Sequence, residues 1–197
     1  MNKKLFLAAL LLVSSTSFAQ NTSTSQIENR NAVSSEGFRV SLLRSDLDAK
    51  AKIELDSRTV TGDKIEIDRA MGVAIGYASL PIQQLGWTAN LAYMELKEDD
   101  VKIKVARIDA NLAYAFDSLI NIKGGLNVSE LRLDNETLDY KPAVGLQVGV
   151  GLQFTKNFGL DLNYVSMRNT AEIPVGSKTA DMTVTLDGPE LALTGTF

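Results

Sequence analysis

The sequence predicts an all-β fold, an eight-stranded antiparallel up-and-down transmembrane β-barrel. Three observations predict it. Apolar side chains recur at every second position through most of the chain, and no later segment carries a helical period. The stretches between these runs alternate between short and long, the rhythm of outer-membrane barrels with short turns on one side and long loops on the other. Aromatic residues collect at the ends of the runs, where a barrel in lipid places its two interfacial girdles.

The start of the chain reads differently from the rest. A basic "MNKK", an apolar run from Leu5 to Val13 and the small-x-small site Ser17-Phe18-Ala19 form the pattern of a secretory signal peptide, residues 1–19, cut after Ala19. The run is too short to span a bilayer as a helix, which takes about 20 residues. The chain has no cysteine, which excludes both an acylated lipoprotein cysteine and a disulfide. Losing Lys3 and Lys4 with the signal leaves 18 basic residues against 24 acidic ones, a net charge of −6. That balance argues against a nucleic-acid partner, which requires a basic face. Residues 20–35, "QNTSTSQIENRNAVSS", are polar and read as a flexible periplasmic leader to a barrel domain over 36–197.

The strands then follow in order. Phe38, Val40 and Leu42 share one parity, as do Met71, Val73, Ile75 and Tyr77, and Trp87, Ala89, Leu91 and Tyr93. Ile108 to Phe116, Ile120 to Val128, Val144 to Phe154 and Leu160 to Tyr164 repeat the pattern, and "PELALTGTF" from Pro189 to Phe197 closes it. Strands of about ten residues suit a tilted crossing of the bilayer. The connections 46–68, 130–142 and 168–184 are long and 95–102 is intermediate, whereas 79–85, 117–118 and 155–157 are short. In the first long connection, "KIELD" (Lys52 to Asp56) and "KIEID" (Lys64 to Asp68) are near copies. They extend strands one and two as a hairpin above the membrane, or form an extra pair that would make ten strands.

Phe38, Tyr77, Trp87, Tyr114, Phe116, Phe154, Phe158 and Phe197 fall at the short-turn ends and form the expected periplasmic girdle. Tyr93, Tyr164 and Tyr140 fall toward the long loops.

Charge fixes which face is which. Within the expected spans the apolar parity carries no Asp, Glu, Lys or Arg, while the opposite parity holds Arg39, Arg107, Asp109, Lys123, Asp161 and Glu190. A basic residue at mid-bilayer on the lipid face costs roughly 2–4 kcal/mol, so the polar parity points inward. Eight strands leave an interior that side chains can fill. Buried charges there must pair or be hydrated, so these six are expected to form a network that plugs the lumen, with Arg39, Lys123 and Asp161 toward the periplasmic side and the other three nearer the middle or outer side.

Chemistry is limited by composition. Barrel enzymes that activate a serine or cut lipid through histidine require a residue this chain lacks altogether. No phosphate, zinc or calcium motif is present, so neither a cofactor nor a metal is expected. The acidic cluster Glu98-Asp99-Asp100 reads as a solvated loop tip.

The signal peptide, the alternating strands and the ending "LDGPELALTGTF" resemble the small outer-membrane β-barrel superfamily, which includes the OmpA transmembrane domain and the OmpX/Ail-like and opacity-type proteins. Leu191, Leu193, Gly195 and Phe197 match the terminal β-signal of that group, with glycine at 195 where many members carry an aromatic. The resemblance implies insertion by the barrel-assembly machinery into the outer membrane of a Gram-negative bacterium, in contact with lipid bilayer and lipopolysaccharide. With no segment after the last strand, the peptidoglycan-binding role of full-length OmpA proteins is not expected. The expected function is non-enzymatic, a structural or surface-interaction barrel. The alternatives are a narrow porin-like channel for small solutes, or an adhesin or host-factor binder with an extracellular ligand at the long outer loops.

Overall fold

In the computed structural model of the chain the described residues are 35–55, 58–62, 65–98, 101–133, 140–175 and 178–197. The signal read over 1–19 lies outside them, as do the leader through residue 34 and two members of the acidic cluster, Asp99 and Asp100. Among the described residues nine strands form: β1 (Ser35–Leu55), β2 (Arg58–Thr61), β3 (Ile65–Leu80), β4 (Leu85–Glu98), β5 (Val101–Ala115), β6 (Ile120–Leu133), β7 (Ala143–Thr155), β8 (Phe158–Val175) and β9 (Lys178–Thr196). All pairings between these strands are antiparallel, and β9 returns to β1, so β1 and β3 to β9 close a ring of eight.

The first long connection resolves as a hairpin. Lys52 to Leu55 of "KIELD" end β1 and pair with β2, while the opening of β3 in "KIEID" pairs lower down, Ala49 opposite Ile65 and Leu47 opposite Ile67. Strands β2 and β3 therefore descend one after the other along the same side of β1, and the ring stays at eight. The ten-stranded alternative does not form. Of the connection read over 168–184, the described residues 168–175 and 178–184 are likewise paired strand, with Val175 opposite Lys178.

These extensions change what the interior must be. The 21 residues of β1 run about 69 Å at 3.3 Å per residue, more than twice a hydrocarbon core of about 30 Å. Along β1 the outward residues Phe38, Val40 and Leu42 give way to Arg44 and Asp46, while the inward residues change from Arg39 and Ser41 to Leu43 and Leu47. Strand β8 does the same, with Asp161 and Asn163 inside below and Val165, Met167 and Ala171 inside above. Residues expected to form outer connections are instead strand, and they give the barrel an outer half whose interior is apolar. There Leu43, Leu47, Met94, Leu96, Val105, Leu131, Val165, Met167 and Leu186 form a buried apolar core. A wall section with a polar exterior follows the soluble rule, apolar inside and polar outside. Tyr140 is buried in this core and does not join Tyr93 and Tyr164 on the exterior.

Glycine sets the inner surface of β7. A Cβ on Gly149 would stand 2.2 Å from Asn163 Oδ1, so the bare backbone there lets a polar side chain from the next strand lie across it.

Candidate functional site

The lower half of the interior holds the six charges singled out from the sequence. Strand alternation turns each inward, and the closure of β9 onto β1 brings chain-distant strands together. Arg39 on β1 and Lys123 on β6 both contact Asp161 Oδ2 on β8, at 3.0 and 2.9 Å. Arg107 on β5 lies with Nε 2.7 Å from Asp109 Oδ1 and donates from Nη2 to Glu190 Oε1 on β9 at 2.9 Å. The structure therefore gathers the six into two groups of three, one around Asp161 nearer the short turns and one around Arg107 above it. Arg39, Arg107, Asp109, Asp161 and Glu190 are all buried, and Lys123 is nearly so.

Uncharged polar side chains complete the packing. Ser45 donates to Glu190 Oε2 at 3.3 Å and Asn163 to Glu190 Oε1 at 3.4 Å. Asn111 donates to Thr88 at 3.0 Å and accepts from Gln147 at 2.6 Å, and the hydroxyls of Ser41 and Thr194 meet at 2.9 Å. The charge pattern did not single these residues out, although their inward parity was available in the sequence. A cavity of about 20 Å³ remains, lined by all six charged residues. That is room for about one water, and the buried Arg39 Nε and Arg107 Nη1, which have no hydrogen-bond partner, are groups such a water would satisfy. Above lies the apolar core. Among the described residues no cluster of His, Cys, Asp or Glu could hold a metal ion.

The exterior carries a continuous apolar belt. At its short-turn edge the aromatics adjoin in pairs: Tyr77 stacks on Trp87 with centroids 5.7 Å apart, Tyr114 meets Phe116 edge-on at 5.2 Å, and Phe154 lies 6.3 Å from Phe158. Phe38 and Phe197 exchange two backbone hydrogen bonds, of 3.0 and 2.8 Å, at the closing seam. Leu191, Leu193 and Phe197 all point outward. Gly195 shares their parity, and a Cβ there would sit 3.3 Å from the Phe197 ring. The Phe197 ring thus folds back over Gly195. At the outer edge Tyr164 donates to Asp187 at 3.1 Å.

Antiparallel closure, an apolar exterior and a charged, filled lower interior define the fold of a small outer-membrane β-barrel. Among solved structures the chain is similar to the outer membrane protein OprG from Pseudomonas aeruginosa, with a TM-score of 0.51 and 13% identity over 84% of this chain and 97% of that one. It also matches Ail, the attachment invasion locus protein of Yersinia pestis, with a TM-score of 0.41 and 12% identity over 81% of this chain and 99% of that one. Neisserial surface protein A gives a TM-score of 0.39 and 19% identity over 82% of this chain and 97% of its own. No protein-family model and no curated protein matches the chain.

Proposed function

We propose that this chain is a non-enzymatic outer-membrane barrel of a Gram-negative bacterium, with a structural or surface-interaction role and a lumen closed by its own side chains. One observation carries this reading. The lower interior holds two ion groups lining a cavity of about 20 Å³, with a buried apolar core above them. The small size of that cavity and the apolar layer above it support a lumen without a continuous polar path.

In this reading the apolar belt sits in lipid, the aromatic pairs at the short turns form the periplasmic girdle, and the outer strand extensions rise through the lipopolysaccharide layer. Leu191, Leu193, Gly195 and Phe197 serve as the signal read by the barrel-assembly machinery, after export on a cleaved signal peptide. The hairpins at the top of β1–β2 and β8–β9 favour the surface-interaction form of the role, because they place polar outward faces well above the belt where an extracellular ligand would meet them.

Single-channel recording of the refolded full chain in planar bilayers tests the proposal. A silent or only flickering trace is expected. A stable, large, nonselective conductance would overturn the closed lumen and favour the porin-like alternative.

A further inference from the structure

The outer extension has two edges, and they are built differently. Strands β8, β9, β1 and β2 stand side by side above the belt, and among the described residues β2 pairs with β1 alone and β8 beyond Thr170 with β9 alone. Thr170 O faces away from β9, since it accepts from Lys141 N–H. Glu172 and Pro174 share its parity, so their backbone groups turn the same way. Proline has no N–H to offer there, and a proline on an edge strand blocks further pairing. Strand β2 carries no such block. Gly62 N–H donates to Ala51 O on β1 at 2.9 Å, and Val60, opposite Ile53, is in the same phase. Thr59 and Thr61 therefore point their N–H and C=O away from β1. Both are exposed, and Val60 between them is 65% exposed.

We infer that the β2 edge pairs antiparallel with the β2 edge of a second copy of this chain, carried on a facing membrane. The inference rests on the outer-membrane reading above and names a partner for its surface role. The edge is complementary to itself. Centred on Val60, the pairing sets Thr59 of each copy opposite Thr61 of the other, and these two hydrogen-bonded pairs exchange about four bonds. Threonine opposite threonine is a favourable cross-strand pair. Val60 meets Val60 in the closely spaced position between them, which covers an exposed apolar side chain on each copy. Residues 59–62, "TVTG", carry no charge, so no like charges are opposed.

Symmetry sets the direction of approach. A contact of one patch with itself has a twofold axis, and in an antiparallel pair that axis stands perpendicular to the sheet. The barrel wall rises from the membrane, so the axis lies in the membrane plane and the second barrel is inverted. A twofold along the membrane normal would instead set Thr59 level with Thr59 in parallel strands, whose slanted bonds require a stagger of one residue. The edge has the reach for a facing membrane. Thr61 lies opposite Lys52, ten residues beyond Leu42 on β1, about 33 Å along the strand. The headgroup layer extends only about 5–8 Å beyond the hydrocarbon.

The chain has no cysteine, so Val60→Cys places a single thiol on the proposed twofold. The Cα separation of about 4.5 Å at such a pair is within disulfide reach. The full chain, refolded in detergent with heat-modifiable migration as the check on folding, should then give a disulfide dimer under mild oxidation. Thr59→Cys and Thr61→Cys should each give little dimer alone and crosslink to one another when mixed, which also carries the test if Val60→Cys does not fold. Thr61→Pro removes only an edge-facing N–H, as Pro174 does on β8. Added to Val60→Cys, it should weaken the association about tenfold, since two of the four bonds are lost. Phosphatidylcholine vesicles bearing the parent chain should cluster in light scattering, because many weak links add. Vesicles with Val60→Lys and vesicles with Val60→Glu should each stay dispersed, and should cluster when the two are mixed. A folded Val60→Cys chain without dimer, or a dimer yield untouched by Thr61→Pro, overturns the pairing. Dimer in detergent without clustering of vesicles overturns the facing-membrane arrangement. A chain that never becomes heat-modifiable instead overturns the membrane reading, and this inference with it.

Discussion

Arg107 and Glu190, 83 residues apart in sequence, meet at 2.9 Å across the barrel, joining β5 to β9 through the interior. Glu190 also accepts from Ser45 on β1 and Asn163 on β8, so one carboxylate ties four strands together. Glu190→Gln removes one of the two carboxylates facing the buried guanidinium. Breaking a buried ion pair from one side costs about 3–5 kcal/mol, and a loss of that order is expected in urea unfolding from vesicles. Trp87, the single tryptophan, supplies the fluorescence signal. Neutralising the group together, with Arg107→Met, Asp109→Asn and Glu190→Gln, should cost less than Arg107→Met alone, which strands two carboxylates. A triple variant less stable than that single one would refute the account.

The apolar core of the outer half makes a separate prediction. Leu186 is fully buried in it, whereas Leu193, seven residues along the same strand, faces outward in the belt. Leu186→Ala leaves a cavity that protein must surround, at a cost of about 2–5 kcal/mol. Leu193→Ala opens a space that lipid fills, so a clearly smaller loss is expected in the same urea titration. Equal losses would show that the outer half does not pack as a dry core.

The sequence carried the belt and the charges because both obey one rule over consecutive turns of the strand. Lipid outside demands an unbroken apolar parity, and the six charges stand out against it. It did not carry the outer half, and the reason is visible at Leu42-Leu43. Two adjacent leucines mark the level where the outward parity stops being apolar and the inward parity starts. Read with the membrane rule, everything above that level looks like loop. In the stretch 168–184 the inward positions include Asn169, Ala171 and Ala180, small or polar residues whose burial comes from the ring around them and leaves little alternation to detect. The two triads were visible only as a list of charges, because which acid meets which base depends on strand stagger.

Lys141 and Glu172 join the outer end of the wall, where Lys141 N–H also donates to Thr170 O at 2.7 Å. The lysine holds the Glu172 carboxyl below the ordinary glutamate range, chiefly through their hydrogen bond and then through charge. A depressed carboxylate pKa contributes stability above the ordinary value, and that contribution is lost as pH falls through the depressed one. A carboxyl-resolved NMR titration should find Glu172 titrating low in the parent chain and returning to the ordinary range in Lys141→Gln. Both side chains are exposed, so the variant should unfold at neutral pH much as the parent does. An unchanged Glu172 titration would show that the pair does not persist in solution.

The seam between β1 and β9 concentrates the last prediction on Phe197. Its backbone N–H and C=O both pair with Phe38, and its ring, 78% exposed, lies over Gly195 at the short-turn edge of the belt. Next to it Gly37 has φ +147°, and a Cβ there would stand 2.2 Å from Phe197 O. The first and last strands thus come together through a glycine that only a bare backbone can supply. Deleting Phe197 removes two ladder bonds and one girdle ring but leaves both ion groups and the outer core in place. Two backbone bonds at net values of about 0.5–1.5 kcal/mol each are a modest part of the closure, so the purified variant should still refold in detergent with heat-modifiable migration. In cells the expectation differs, because the proposed reading makes Phe197, in phase with Leu191 and Leu193, part of the assembly signal. Outer-membrane levels should fall severalfold, with the chain recovered from the periplasm or degraded. Normal outer-membrane levels of the deletion variant would reduce Phe197 to a structural residue of the girdle, and a failure to refold in detergent would place its role in the fold itself. Gly37→Ala separates the two cases: it strains the same seam while keeping the aromatic, so it should impair refolding more than the deletion does.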